Sequence, residues 1–199
     1  MPTDARRPLG RPRNPAVDER IRVATLALLI DEGYAGVTME SVARRAGVAH
    51  TTIYRRWPSK AHLVHEVLFP ASDVVELGAD GSLEQVISDL VIGMVESISR
   101  PEARAALPGL LAEYRSDDEL LGLMIRRFEP GITDLLTNAL ADAVARGEAR
   151  PGVAAATVLE TVIGAAMVGT FLRADTPPEV RAQDLLDLVM SGLLANSND

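Results

Sequence analysis

Residues Thr38 to Lys60 read TMESVARRAGVAHTTIYRRWPSK, and their spacing predicts two short helices joined by a tight turn, with a third starting just after. Thr38 is placed to cap the first helix, since a threonine hydroxyl can accept from the free amides of a first turn. Met39, Val42, Ala43 and Ala46 recur three and four apart, the period of one inward helix face. Gly47 is the residue type most easily bent into the left-handed conformation that ends a helix. Val48 plugs the corner, and the second helix opens at Ala49-His50 with Ile53 and Trp57 facing back inward. Pro58 stops it, and Ser59 is placed to cap the next helix.

The polar residues are equally ordered. His50, Thr51, Thr52, Tyr54, Arg55 and Arg56 lie in a run that contains no acid. A helix this short buries little, so its outward face is free to meet a partner. Hydroxyls, an imidazole and guanidiniums are groups that read base edges and grip phosphates. The pattern predicts a helix-turn-helix whose second helix enters the major groove.

From about Ile21 to Val67, roughly a quarter of the chain, the sequence resembles the DNA-binding domain of the TetR/AcrR family of bacterial transcriptional repressors. The residues that carry the match are Ala24, Leu28, Gly33, Thr38, Val42, Ala43, Ala46, Gly47, Val48, Ile53, Tyr54, Trp57, Lys60 and Leu63. Two departures stand out. The family usually has Phe at Trp57, and it often has Ser at Ala49, so the second helix is expected to start with a weaker cap. The resemblance implies an all-α protein: a helix-turn-helix domain over residues 15–68, preceded by a basic arm over 1–14, and a larger helical ligand-binding and dimerisation domain over 69–199.

Composition agrees with that class. Hydrophobic residues make up 47% and aromatics 4%, a balance rich in Ala and Leu that favours helices over sheets. There is no cysteine, which excludes disulfides and thiolate metal sites and is compatible with a reducing cytoplasm. The start, MPTDARRPLG, carries charge but no apolar run, so no signal peptide is expected. The formal net charge of −8 argues at first against a nucleic-acid partner. Residues 1–66 nevertheless hold eleven basic and seven acidic side chains, while the remainder holds nine and twenty-one. A basic head on an acidic body suits a protein that touches DNA at one end only.

Along the chain, Arg6, Arg7, Arg11 and Arg13 sit among Pro and Gly in a segment that cannot build a core. Gly10-Arg11-Pro12-Arg13 resembles an AT-hook core, so Arg11 and Arg13 are minor-groove candidates beside the plainer reading of a solvated tail. Asn14-Pro15 predicts a helix start and Gly33 its end. Lys60, the only lysine, opens the helix after Ser59, where the resemblance implies a phosphate contact; Thr38 joins the DNA-binding set on the same ground. His62 and His65 are three apart but have no third ligand, so surface or interface histidines are expected rather than a metal site.

In the body, Ser82–Ser99 is amphipathic, Pro101 and Pro108 are expected to punctuate two short helices at 102–106 and 109–115, and Asp117–Gly147 forms a long stretch kinked or broken at Pro130. Val153–Leu172 has roughly the 20 residues needed to cross a bilayer, but it carries Glu160 and three threonines, which predicts a buried helix of a soluble protein. The strip Gly164, Ala165, Ala166 and Gly169 lets helix backbones approach closely, and Pro178–Ala195 offers more apolar surface than one neighbour covers. The resemblance implies that these two helices pair with a second subunit in a four-helix bundle, giving a homodimer able to read a two-fold operator in double-stranded DNA.

The resemblance also implies a small-molecule effector in a cavity among the middle helices. Met94, Tyr114, Met124, Phe128, Met167 and Phe171 are its candidate lining, since Met and aromatic side chains suit apolar ligands, although at helical spacing they also read as plain core. A DNA-binding dimer governed by a protein partner is the alternative. Gly-rich phosphate loops, Gly-x-Ser-x-Gly elbows and metal-ligand clusters are absent from the sequence, so neither an enzyme nor a cofactor protein is expected.

Overall fold

The computed structural model describes residues 14–70, 81–173 and 175–195, without the side chains of residues 127–130. The architecture among the described residues is all α-helical. The head comprises α1 (Pro15–Gly36), α2 (Met39–Ala46), α3 (His50–Tyr54) and α4 (Lys60–Leu68). The body comprises α5 (Leu83–Ser99), α6 (Pro101–Tyr114), α7 (Asp118–Phe128), a π-helical turn (Glu129–Thr133), α8 (Asp134–Ala145), α9 (Ala155–Leu172) and α10 (Pro178–Leu193).

The local signals in the head act as their chemistry requires. Asn14 accepts from the Ala16 amide at the start of α1, and Gly33, at φ 67°, breaks its helical path before Gly36. Thr38 caps α2 by accepting from the Ser41 amide at 3.0 Å, while the Ser41 hydroxyl accepts from the Thr38 amide at 2.9 Å. Gly47 ends α2 in the left-handed region. Ala49 supplies no side-chain cap to α3. Ile21, Leu28, Val42, Ile53, Leu63 and Val64 close the head's core.

In the body, α5 packs against α9 and α10, and α1 of the head packs along α6. That last contact is close. A Cβ on Gly109 would lie within 2.2 Å of the Tyr34 ring, so only glycine lets the two helices approach as they do. Residues 101–114 form one helix rather than the two expected, with Pro108 in its interior. Proline removes one helical hydrogen bond. Even so, Ala103, Ala106, Leu107, Leu110 and Tyr114 are buried along one side, and this packing carries the helix through. Pro130 behaves as expected, within the π-helical turn that separates α7 from α8.

Helix α9 is long and apolar enough to cross a membrane by length and composition. Its Val158, Leu159, Val162 and Ala166 are instead buried within the body. Gly169 admits the Arg181 side chain, whose guanidinium donates to Thr170 Oγ1 and to the carbonyls of Arg173 and Thr176, fixing the α9–α10 turn. The far end is pinned by a short bridge in which the Arg150 amide donates to the Leu193 carbonyl at 2.9 Å and Ala195 to Glu148 at 3.1 Å.

Candidate nucleic-acid interface and effector cavity

Helix α3 buries only Ile53. His50, Thr51, Tyr54 and Arg55 are exposed and Thr52 half-buried, so these predicted DNA-reading side chains share one outward surface. The His50 ring meets the Tyr54 ring edge-on at 4.6 Å, which restrains an aromatic side chain that is 49% exposed. Trp57 turns inward, and its indole N–H donates to Glu66 at 2.7 Å, fastening the turn after α3 to α4.

Arg56 is placed differently from its outward-facing neighbours. Its side chain is 14% exposed and forms an ion pair with Asp18 near the start of α1. It follows the last turn of α3 and reaches back to α1. Lys60 is also engaged: its ammonium donates to the Tyr34 carbonyl at 3.1 Å and stands 4.0 Å from the centroid of the Tyr34 ring. An ammonium has three donors, so this leaves capacity for a further acceptor. Thr38 is exposed beside the cap it forms. Arg11 and Arg13 lie outside the described residues.

The junction of head and body is built from polar pairs. The Tyr34 hydroxyl donates to Glu113 at 3.4 Å, His65 Nδ1 shares a 2.7 Å hydrogen bond with the Tyr114 hydroxyl, and the Arg100 guanidinium donates to the Leu68 carbonyl at 2.8 Å. Burial pushes both tyrosine hydroxyls above their usual range, aided at Tyr34 by the Glu113 charge and at Tyr114 by Tyr34. His62 and His65, expected at a surface or an interface, are both buried here; His62 Nδ1 bonds the Ser59 hydroxyl at 2.9 Å. Each ring is thus hydrogen-bonded through Nδ1 within the protein. Among the described residues there is no group of three or more His, Cys, Asp or Glu able to hold a metal.

A cavity of about 700 Å³ opens within the body. Met94, Tyr114, Met124 and Met167 line it, four of the six residues singled out from sequence. Phe171 is not among the lining residues, although it packs against the core; the Phe128 side chain lies outside the described residues. The sequence reading missed Phe69 at the end of α4, Thr133 and Asp134 at the turn into α8, and Glu160 on α9. Glu160 had a legible signal as the only charge in an otherwise apolar helix. Thr133 and Asp134 had none, because their position depends on the π-helical turn.

Two further apolar stretches face solvent. Val168 and Leu172 lie on the outer side of α9, and Val180 and Leu188 on α10, with Leu172 77% and Leu188 67% exposed. Gly164 lies on the same side of α9 with open space before it.

A helix-turn-helix that exposes an acid-free second helix, carried on a helical body with an internal cavity, defines a DNA-binding transcriptional regulator rather than an enzyme. Comparison with known proteins gives the family. The family model described as "Bacterial regulatory proteins, tetR family" matches residues 21–67, and that described as "Tetracyclin repressor-like, C-terminal domain" matches residues 78–189. The chain belongs to the tetR family of bacterial regulatory proteins.

It is 38% identical over 131 residues to the DNA-binding transcriptional repressor TetR of Mycobacteroides abscessus, covering 62% of this chain and 66% of that one. It is 24% identical over 189 residues to the uncharacterized HTH-type transcriptional regulator YdeS of Bacillus subtilis, covering 94% and 95%. The fold resembles that of FadR from Bacillus subtilis, solved in complex with stearoyl-CoA, with a TM-score of 0.66 at 17% identity over 87% of this chain and 98% of that one. It also resembles NalD, the secondary repressor of the MexAB-OprM multidrug efflux pump in Pseudomonas aeruginosa, with a TM-score of 0.63 at 22% identity over 89% and 96%.

Proposed function

We propose that the protein is a homodimeric repressor that binds a two-fold operator through α3 and is released by a small apolar effector held in the body cavity. Residues 15–68 form the DNA-binding domain and residues 69–199 the ligand-binding and dimerisation domain. His50, Thr51, Thr52, Tyr54 and Arg55 meet bases and nearby phosphates, Thr38 and Lys60 grip the backbone, and Arg11 and Arg13 reach the adjacent minor groove. Arg56, paired with Asp18, holds α1 against the end of α3. The outer faces of α9 and α10, including Leu172 and Leu188, pack against the same faces of a second copy; isologous pairing of this kind is the commonest way to form a dimer. On this reading the protein acts in the cytoplasm without a resident cofactor.

The single observation that carries the switch is the position of Tyr114. It lines the cavity and its hydroxyl is bonded to His65 on α4, the helix that continues from the DNA-reading turn. An effector seated in the cavity contacts Tyr114 directly, so its presence bears on the bond that sets α4 against α6. To release DNA it must bind the arrangement with the heads out of register more tightly than the DNA-bound one, since equal affinity for both shifts nothing. The relatives named as repressors support the sense of regulation, and the FadR complex with stearoyl-CoA supports an apolar ligand in such a body.

The experiment is a thermal-melt screen against apolar compounds, followed by operator gel shifts with the hits. Compounds that raise the melting temperature are expected to weaken operator binding in the wild type, and to do so much less in Tyr114→Phe. Hits that stabilise the protein and leave operator affinity unchanged would contradict an effector role for the cavity.

A further inference from the structure

The charge of the cavity lining narrows the effector class. Among the described residues no Arg, Lys or His lines the cavity, while Asp134 and Glu160 both do. Both carboxylates are solvent-exposed, so they stand where the cavity meets water, and neither forms an ion pair among the described residues. Asp134 has a local explanation, because an acid in the first turn of α8 complements the helix dipole. Glu160 has none of that kind. It sits inside α9 and is the only charged residue between Ala155 and Leu172. Ala156 four residues before it, and Ile163 and Met167 three and seven after it, put it on the stripe of α9 that faces the cavity rather than on the outer stripe of Thr161, Gly164, Val168 and Leu172.

From this we infer that the effector is a hydrophobic cation, a protonated amine or quaternary ammonium on an apolar body. Its charge is held at the mouth by Glu160 with Asp134, and its apolar part lies among Met94, Met124, Met167 and Tyr114. The inference rests on the proposal that the cavity is the effector site. The size fits, since drug-sized ligands occupy cavities of roughly 300–1,000 Å³. An anionic ligand such as a fatty acid, or one bearing phosphates, meets two carboxylates there and no described base to pair with.

The test titrates the full chain with three probes of equal length, decylamine, decanol and decanoate, each below its micelle concentration, at neutral pH and low salt by calorimetry. Decylamine is expected to bind about tenfold or more tighter than decanoate, as a single favourable charge contact at a partly exposed site gives. Glu160→Gln is expected to remove most of that preference and leave decanol binding unchanged, which also shows that the variant is folded; Asp134→Asn should remove less. Decanoate binding as tightly as decylamine, or an undiminished preference in Glu160→Gln, would overturn the cationic assignment and leave the cavity reading standing. Failure of all three probes to bind, or equal binding to Met167→Trp with its filled cavity, would overturn both.

Discussion

Helix α3 has five residues and buries one of them, whereas α9 has eighteen and buries seven. The first is therefore held by its neighbours: α2 behind it, the Trp57–Glu66 bond beyond it, and the Arg56–Asp18 pair beneath. Its outer side chains contribute little to folding and are free to serve recognition. The second is a wall of the body with three separate sides: a buried side against α5 and α10, a stripe facing the cavity, and an outer apolar stripe that nothing among the described residues covers. Function on α3 appears as polar residues where a core is not needed. On α9 the proposed functions fall on the exceptions to an apolar rule: Glu160 on one stripe, exposed Val168 and Leu172 on another.

The most drastic way to test this contrast is to charge the outer stripe. Leu172→Glu combined with Leu188→Glu is expected to raise the dimer dissociation constant by roughly a thousandfold or more, because each buried leucine is worth about 2 kcal/mol and a two-fold interface repeats the loss. Sedimentation would show monomers with unchanged helix content; a variant still dimeric at micromolar concentration would place the interface elsewhere.

On α3 the expected loss is smaller and confined to DNA. Tyr54→Ala and Arg55→Ala should each weaken specific operator binding by roughly 10- to 100-fold, the range of one good base contact, with melting temperature and dimerisation unaltered. Normal operator binding by either variant would contradict the outward reading of α3.

The seam between the two regions gives a smaller effect still. Gly109→Val places side-chain atoms where the Tyr34 ring lies, and overpacking of that kind costs about 1–3 kcal/mol, a drop of several degrees in melting temperature. The seam also predicts a pH dependence. Tyr34 and Tyr114 have folded-state pKa values raised by burial. Their stabilising contribution is therefore full below the unfolded tyrosine pKa of about 10 and declines as the pH rises from there toward the folded values. Chemical denaturation should show stability level near neutrality and falling above about pH 10, and Tyr34→Phe should soften that fall.

Much of the head was legible because its signals are local. Asn14, Thr38, Gly47 and Ser59 act within three or four residues of themselves, and each forms or ends the helix it predicts. Arg56 was not legible in this way. Its ion pair reaches back to Asp18 across the head, and side-chain type alone does not distinguish an arginine facing out from one tied inward. The continuous helix through Pro108 was also hidden, since the force that holds it is burial of one face against distant partners. Four cavity residues followed from the family resemblance together with their Met and aromatic side chains, while Thr133 and Asp134 depend on where a π-helical turn directs the chain. His62 and His65 showed their spacing in the sequence but not their burial, which the packing of body against head decides.

The measurement that bears most directly on the account is selection of bound duplexes from a random pool by the wild-type protein, followed by gel shifts across a salt series. The account predicts enrichment of a two-fold symmetric site with half-sites about one helical turn, 10 to 10.5 base pairs, or a multiple of it apart. Binding to that site should be far tighter than to unrelated DNA at the same salt. Recovery of no consensus, or of a single half-site bound by one chain, would contradict a dimer that reads DNA through two copies of α3.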